Sequence, residues 1–270
     1  MKALRRDLRP KAGVYEFGEE LTPLQVLDQL GRGESILVQV TVREGLDRFA
    51  IAKLMASERL GTEKEWLELT ADSKLVEDIA PEATSLEGYL FPDTYRFSPG
   101  TSPRVIVEEM VKNFRRQFGE ELAYIRTGLS VHETVTLASI VETEAQLQSE
   151  RPLIASVYRN RLEKRMLLQA DPTVIYSMKL AGTWAGDIRK DDLRMSSPYN
   201  TYARTGLPPG PIANAGLASL RAAANPASSE MLYFVSKNDG SHVFSRDLDE
   251  HNRNVAQWQK RYWRDAQGQR

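Results

Sequence analysis

The sequence predicts an α+β protein: a strand–helix N-terminal unit packed on a mainly helical domain with a small β-hairpin. Three observations predict it. A strand-to-helix pattern occurs twice before Gly61, amphipathic stretches run from Ser102 to Gly182, and Asn238-Asp239-Gly240 separates two short β-rich runs. At 270 residues the chain exceeds one typical domain and falls short of three, so two units are expected, 1–98 and 99–270.

Each element has a local reason. Tyr15 to Phe17 reads as short and extended, and Thr22-Pro23 opens a helix through Leu24, Val26, Leu27 and Leu30 that Gly31 and Gly33 stop. Ile36 to Val42 is a β-branched strand, and Glu44-Gly45 turns it into a helix closed near Gly61. Thr62 with Glu65 forms a capping box for a third helix, and a polar stretch runs to about Thr84. Leu86 to Phe97, aromatic-rich and broken by Pro92, reads as strand or loop. Val105, Ile106, Met110, Val111, Phe114 and Phe118 give the helix after Ser102-Pro103 an apolar face. Ser130 with Glu133 caps the next, expected to reach about Gln148, and Pro152 sits in the first turn of another, to about Met166. Further helices are expected from Asp171-Pro172 to Gly182, from Leu217 to Ala224 and from Asp249 to Trp263; a hairpin of Met231 to Val235 and His242 to Phe244 precedes the last.

Composition narrows the function. Hydrophobic residues at 41% and charged residues at 27% exclude a disordered or a membrane-embedded chain. Lys+Arg 36 against Asp+Glu 37, a net charge of -1, removes the basic footprint of a nucleic-acid binder. With Cys 0 and His 3, scattered at His132, His242 and His251, neither a thiolate centre nor a histidine-rich metal site is expected, and no cofactor is implied. The basic start, Met1 to Pro10, has no apolar run behind it, and no segment approaches the roughly 20 apolar residues of a bilayer span.

Chemistry concentrates on the helix from Ser130. At about 100° per residue, Val131, Val135, Ala138, Val141 and Ala145 share one arc with Glu142 among them. A carboxylate on an apolar stripe should bind its proton more tightly, as a general acid near neutral pH must; alternatively, Glu142 is simply paired with a buried Arg. Glu144 lies on the opposite, also partly apolar arc, so periodicity does not separate the two acids. Gln169-Ala170-Asp171-Pro172-Thr173 reads either as a helix cap or as part of a site. Tyr199-Asn200-Thr201-Tyr202, followed by the rigid Pro208-Pro209-Gly210-Pro211, combines aromatic faces with amide and hydroxyl groups suited to pyranose rings. His242 could act as a donor or be structural.

Leu137-Ala138-Ser139-Ile140-Val141-Glu142-Thr143-Glu144 resembles the catalytic signature of the YceG-like endolytic murein transglycosylases, bacterial lyases that cleave peptidoglycan. Further blocks resemble the same family in the same order: Leu86 to Tyr95, Leu168 to Tyr176, Tyr199 to Tyr202 with Gly206 to Ile212, and Tyr233 to Val235 with Gly240 to Phe244 and His251-Asn252. Together they cover most of the chain.

The resemblance implies a catalytic glutamate at the first acid, Glu142, with Thr143 where the family commonly has Lys. Gln169, Asp171, Tyr199, Asn200, Thr201 and His242 are then expected to bind the glycan. It also implies a LysM-like unit over 1–98 ahead of the catalytic domain, and an anchor upstream of Met1 that would hold the protein at the periplasmic face of the inner membrane. Implied partners are peptidoglycan glycan strands and peptidoglycan synthases (penicillin-binding proteins). The implied reaction cleaves the β-1,4 bond between N-acetylmuramic acid and N-acetylglucosamine without water, leaves a 1,6-anhydro end and terminates nascent strands. Two rivals remain in view: a two-carboxylate hydrolase using Glu142 and Asp171, and a non-catalytic peptidoglycan-binding or divisome scaffold module.

Overall fold

The computed structural model describes residues 9–18, 20–33, 35–122, 125 and 127–261. Most of the basic start, and Tyr262-Trp263 at the expected end of the last helix, lie outside the described residues.

Helix α1 (Pro23–Arg32) starts where expected: Thr22 and Gln25 cap each other, and Gly33 closes it at φ 73°. Strand β1 (Val38–Thr41) leads to helices α2 (Arg48–Ser57) and α3 (Glu63–Thr70), the latter opened by the Thr62–Glu65 capping box. Strand β2 (Thr94–Phe97) pairs antiparallel with β1, Val38 opposite Phe97 and Thr41 opposite Thr94. The repeated strand–helix pattern is therefore corrected. Tyr15 to Phe17 forms no strand, and its neighbourhood meets the next segment through an Ile36 N–H donated to the Val14 carbonyl at 2.7 Å. The folded unit is strand–helix–helix–strand, its sheet closed by residues more than fifty positions apart, from Thr41 with Thr94 to Val38 with Phe97.

Helices α4 (Pro103–Leu122), α5 (Val131–Glu144), α6 (Arg151–Glu163), α7 (Asp171–Leu180) and α8 (Leu217–Ala224) follow. Then come strands β3 (Tyr233–Ser236) and β4 (His242–Ser245), paired as a hairpin, and α9 (Leu248–Val255), which continues as a π-helical segment, Ala256–Arg261. None of the described helices is long and apolar enough to cross a membrane.

Helix α5 is the axis of the larger part, contacted by α6, α7 and α8. It is buried almost all round because its small and hydroxyl residues permit close approach: Thr134, Thr136 and Ser139 return their hydroxyl protons to carbonyls one turn back. Ser139 Oγ also accepts the Ile212 N–H at 3.0 Å, and the His132 ring bridges the Tyr89 hydroxyl and the Pro209 carbonyl, each at 2.8 Å. These bonds press the proline-rich loop onto α5. Gly88, at φ 88°, completes the fit, since a Cβ there would stand 2.5 Å from Pro211 Cγ. One hydrophobic cluster runs through both halves, from Val40, Ile51, Trp66 and Phe97 to Phe114, Leu137, Ile140, Tyr158 and Leu220.

Candidate active site

Helix α5 ends earlier than its sequence suggests. Ala145 takes an extended conformation, and the chain passes through a short 3-10 turn, Gln148–Glu150, into α6. Both acids of the signature therefore sit in the last turn of α5, where carbonyls are unsatisfied and a nearby carboxylate is least comfortable.

Their surroundings differ. Glu142 Oε1 accepts from Arg151 Nη2 at 2.8 Å and Oε2 accepts the Gly216 N–H at 3.0 Å. The two charged side chains are 5% and 11% exposed, so this is a shielded ion pair. Arg151 also donates to Ser219 Oγ at 2.8 Å and lies 3.6 Å from Glu44, whose carboxylate fills the space a Cβ on Gly216 would need. Burial and the adjacent Glu142 push the Glu44 carboxyl above its ordinary value. Of the two readings weighed for Glu142, the structure shows the paired one: Arg151 supplies the counter-charge, and both carboxylate oxygens are occupied.

Glu144 instead opens on a cleft of about 490 Å³, walled by α6, the start of α7, the hairpin and α9. Burial pushes its carboxyl up to about 7, with the charge of Asp171 adding to the rise, while the Tyr158 hydroxyl, donating to Oε1 at 3.2 Å, and Arg161 oppose it. Arg161 is fixed beneath the cleft by bonds from Nε to the Leu232 carbonyl (2.7 Å) and from Nη1 to the Leu168 carbonyl (2.6 Å), its guanidinium 5.1 Å over the Tyr233 ring. His251 stacks on Tyr233 with centroids 5.1 Å apart, its Nδ1 without a hydrogen bond among the described residues, and desolvation lowers its pKa.

The expected glycan-binding residues divide. Gln169 and Asp171 line the cleft. Gln169 is held at φ 52°, exposed, by its N–H to the Thr201 carbonyl. Asp171 is no cap: Ala170 occupies that position, and Asp171 Oδ1 accepts the Tyr202 hydroxyl at 2.5 Å. Asn200 and Thr201 are buried and structural. Asn200 Nδ2 donates to the Leu193 and Met195 carbonyls, and Thr201 Oγ1 accepts the Ala170 N–H and meets Thr173 Oγ1. The Tyr199 ring packs against Tyr176, centroids 5.0 Å apart. His242 is held outside the cleft, Nδ1 2.7 Å from Glu150 Oε2. Tyr158, Arg161, Tyr202, Tyr233 and His251 are among the cleft residues that the expected set omitted. Tyr202, Tyr233 and His251 lay in recognisable blocks, but nothing in the sequence marked Tyr158 or Arg161.

Larger hollows among the described residues include one of about 570 Å³ between α3 and α4 and one of about 610 Å³ beside Arg48 and Phe49, whose lining acids are all exposed, and one of about 520 Å³ beside Arg204 and Pro209, lined by no acid. Convergent polar groups around a shielded acid are what chemistry needs, and the Glu144 cleft has them.

The model of the YceG-like family matches residues 1–257. The chain is 37% identical to an endolytic murein transglycosylase of Bacillus subtilis (strain 168), covering 90% of this chain and 71% of that one. It is 30% identical to an endolytic murein transglycosylase of Streptococcus pneumoniae serotype 2 (strain D39), covering 92% of this chain but only 50% of that protein. A crystal structure of a yceG-like protein from Listeria monocytogenes superposes with a TM-score of 0.72 at 34% identity, covering 85% of this chain and 80% of that one.

Proposed function

The chain belongs to the YceG-like family, and from that premise we propose that it is an endolytic peptidoglycan transglycosylase whose general acid is Glu144. One observation carries the choice of acid: Glu144 opens on the polar cleft with its carboxyl raised to about 7, whereas Glu142 is committed to Arg151.

A glycan strand lies across the cleft with the bond between N-acetylmuramic acid and N-acetylglucosamine beside Glu144. The carboxyl gives its proton to the bridging oxygen, the C1–O bond breaks with its electron pair on that oxygen, and positive charge develops at C1. The muramic acid 6-hydroxyl then attacks C1 and returns its proton to Glu144, leaving a 1,6-anhydro end. An intramolecular nucleophile is already positioned, an advantage a hydrolase must obtain by ordering water. Gln169, Tyr202 and Tyr233, which line the cleft, hold the flanking sugars.

The β1–α2–α3–β2 unit takes the LysM-like, glycan-associated role within 1–98, with 99–270 as the catalytic part. The protein works on the extracytoplasmic face of the cell membrane beside peptidoglycan synthases, and its cuts terminate nascent strands. Mass spectrometry of purified glycan strands after digestion tests the reading. Anhydro-ended fragments from the parent chain and from Glu142→Gln, with none from Glu144→Gln, are expected; normal turnover by Glu144→Gln would sink it.

A further inference from the structure

Asp171 is a second carboxylate on the wall of the cleft. It begins α7 without capping it, it is exposed, and one hydroxyl, that of Tyr202, fixes Oδ1, while Oδ2 has no protein partner among the described residues. It shares the cleft wall with Glu144, so the fold holds two carboxyl groups around one space. Their environments set them apart. Glu144 ends α5 with Tyr158 donating to its carboxylate; Asp171 is exposed in the first turn of α7, with Oδ1 held by the Tyr202 hydroxyl. Paired acids with divergent environments are the arrangement in which one donates a proton and the other stays charged.

We propose that Asp171 is a second catalytic group of this cleft, an anion that faces the positive charge developing at the sugar C1 while Glu144 delivers the proton. The inference rests on the reading of Glu144 as the general acid. Asp171 forms no bond to carbon and transfers no proton. It acts through charge, which strengthens as the C1–O bond breaks and is therefore felt more in the transition state than in the bound substrate. Its negative charge also helps Glu144 keep its proton.

The charged and titratable groups around Glu144 are Tyr158 and Arg161 of α6, Asp171 of α7, Tyr202 of the following loop, Tyr233 of β3 and His251 of α9. Arg161 is the fixed cation among them. Removing the Asp171 charge therefore leaves Arg161 unopposed and should make Glu144 lose its proton at lower pH.

The experiment measures kcat and KM on purified, peptide-free glycan strands across pH for the parent chain, Asp171→Asn and Tyr202→Phe, with thermal unfolding as a control. Asp171→Asn should lower kcat about tenfold or more, keep KM within about twofold and move the alkaline limb of kcat to lower pH. Tyr202→Phe keeps the charge and should leave that limb in place. Should Asp171→Asn fold poorly, Asp171→Ser gives the same reading. An unmoved limb, or a raised KM with kcat intact, overturns the proposal alone provided Glu144→Gln is inactive. An active Glu144→Gln overturns the general-acid reading and this inference with it.

Discussion

Arg151 Nη2 stands 2.8 Å from Glu142 Oε1 and 3.6 Å from Glu44 Oε2, so one guanidinium ties the last turn of α5 to the loop after β1. The two contacts are unequal. Glu142 is shielded from water, whereas the Glu44 side chain is 50% exposed. Glu142→Ala leaves Arg151 without its close partner and should cost about 3 kcal/mol of folding stability; Glu44→Ala should cost under about 1 kcal/mol. Urea unfolding of both variants checks this, and equal losses would show that the pair is not shielded.

The pH dependence of turnover follows from Glu144. A general acid works only while protonated, so kcat should fall as pH rises through about 7, the value to which burial and Asp171 bring this carboxyl. A rate that stays flat to pH 9 would exclude a titrating acid here.

Stability should fall over part of the same range for a second reason. Burial pushes the Glu87 carboxyl up to about 8, against donors that favour its anion: the Arg48 N–H, the Tyr176 hydroxyl and Asn214 Nδ2. A group whose pKa is higher folded than unfolded contributes stability below its unfolded value, here 4.5, and loses it as pH rises through the folded value. Each such group gives a slope of at most about 1.4 kcal/mol per pH unit. The melting temperature should therefore drop between pH 5 and pH 8, and Glu87→Gln, which mimics the protonated form, should flatten that drop. An unchanged slope in Glu87→Gln would assign the loss to other groups.

What the sequence disclosed was local. The Thr62–Glu65 and Ser130–Glu133 boxes are bonds between neighbours, and both are present. The pairing of Val38 with Phe97 is not local, and no short pattern encodes it. Helix α5 ended unannounced because no Gly or Pro follows Glu144; Ala145 and Gln146 could both continue a helix. With α5 buried on nearly every side, an apolar stripe cannot say which carboxylate faces a ligand, and the partner that removed Glu142 from the cleft, Arg151, belongs to another helix. Gln169 and Asp171, singled out in one cluster, line the Glu144 cleft, while Asn200 and Thr201 carry polar groups that the loop itself consumes.

The hairpin wall should respond to a residue outside the cleft. Glu150 accepts the His242 N–H at 3.0 Å and meets its ring at 2.7 Å, holding β4 to the turn before α6. Glu150→Ala should loosen the wall bearing Tyr233 and Phe234 and raise KM several-fold, with kcat less affected. Faster hydrogen exchange at the Val235 and Val243 amides should accompany it, and unchanged exchange would show that the hairpin holds without this contact.

The product separates an intramolecular nucleophile from water. Glu144 and Asp171 share one cleft, the arrangement a hydrolase would use to activate water with its second carboxylate. If the 6-hydroxyl attacks instead, digestion in heavy-oxygen water should place no label at the muramic acid C1, because water never reaches that carbon. Fragment lengths carry a second test. A cleft that accepts a strand anywhere along its length should give a broad spread of anhydro-ended fragments early, whereas a site that grips chain ends releases disaccharides first. Early disaccharides alone would contradict internal cutting and spare the chemistry; label at C1 would contradict the chemistry and give Asp171 the role of base.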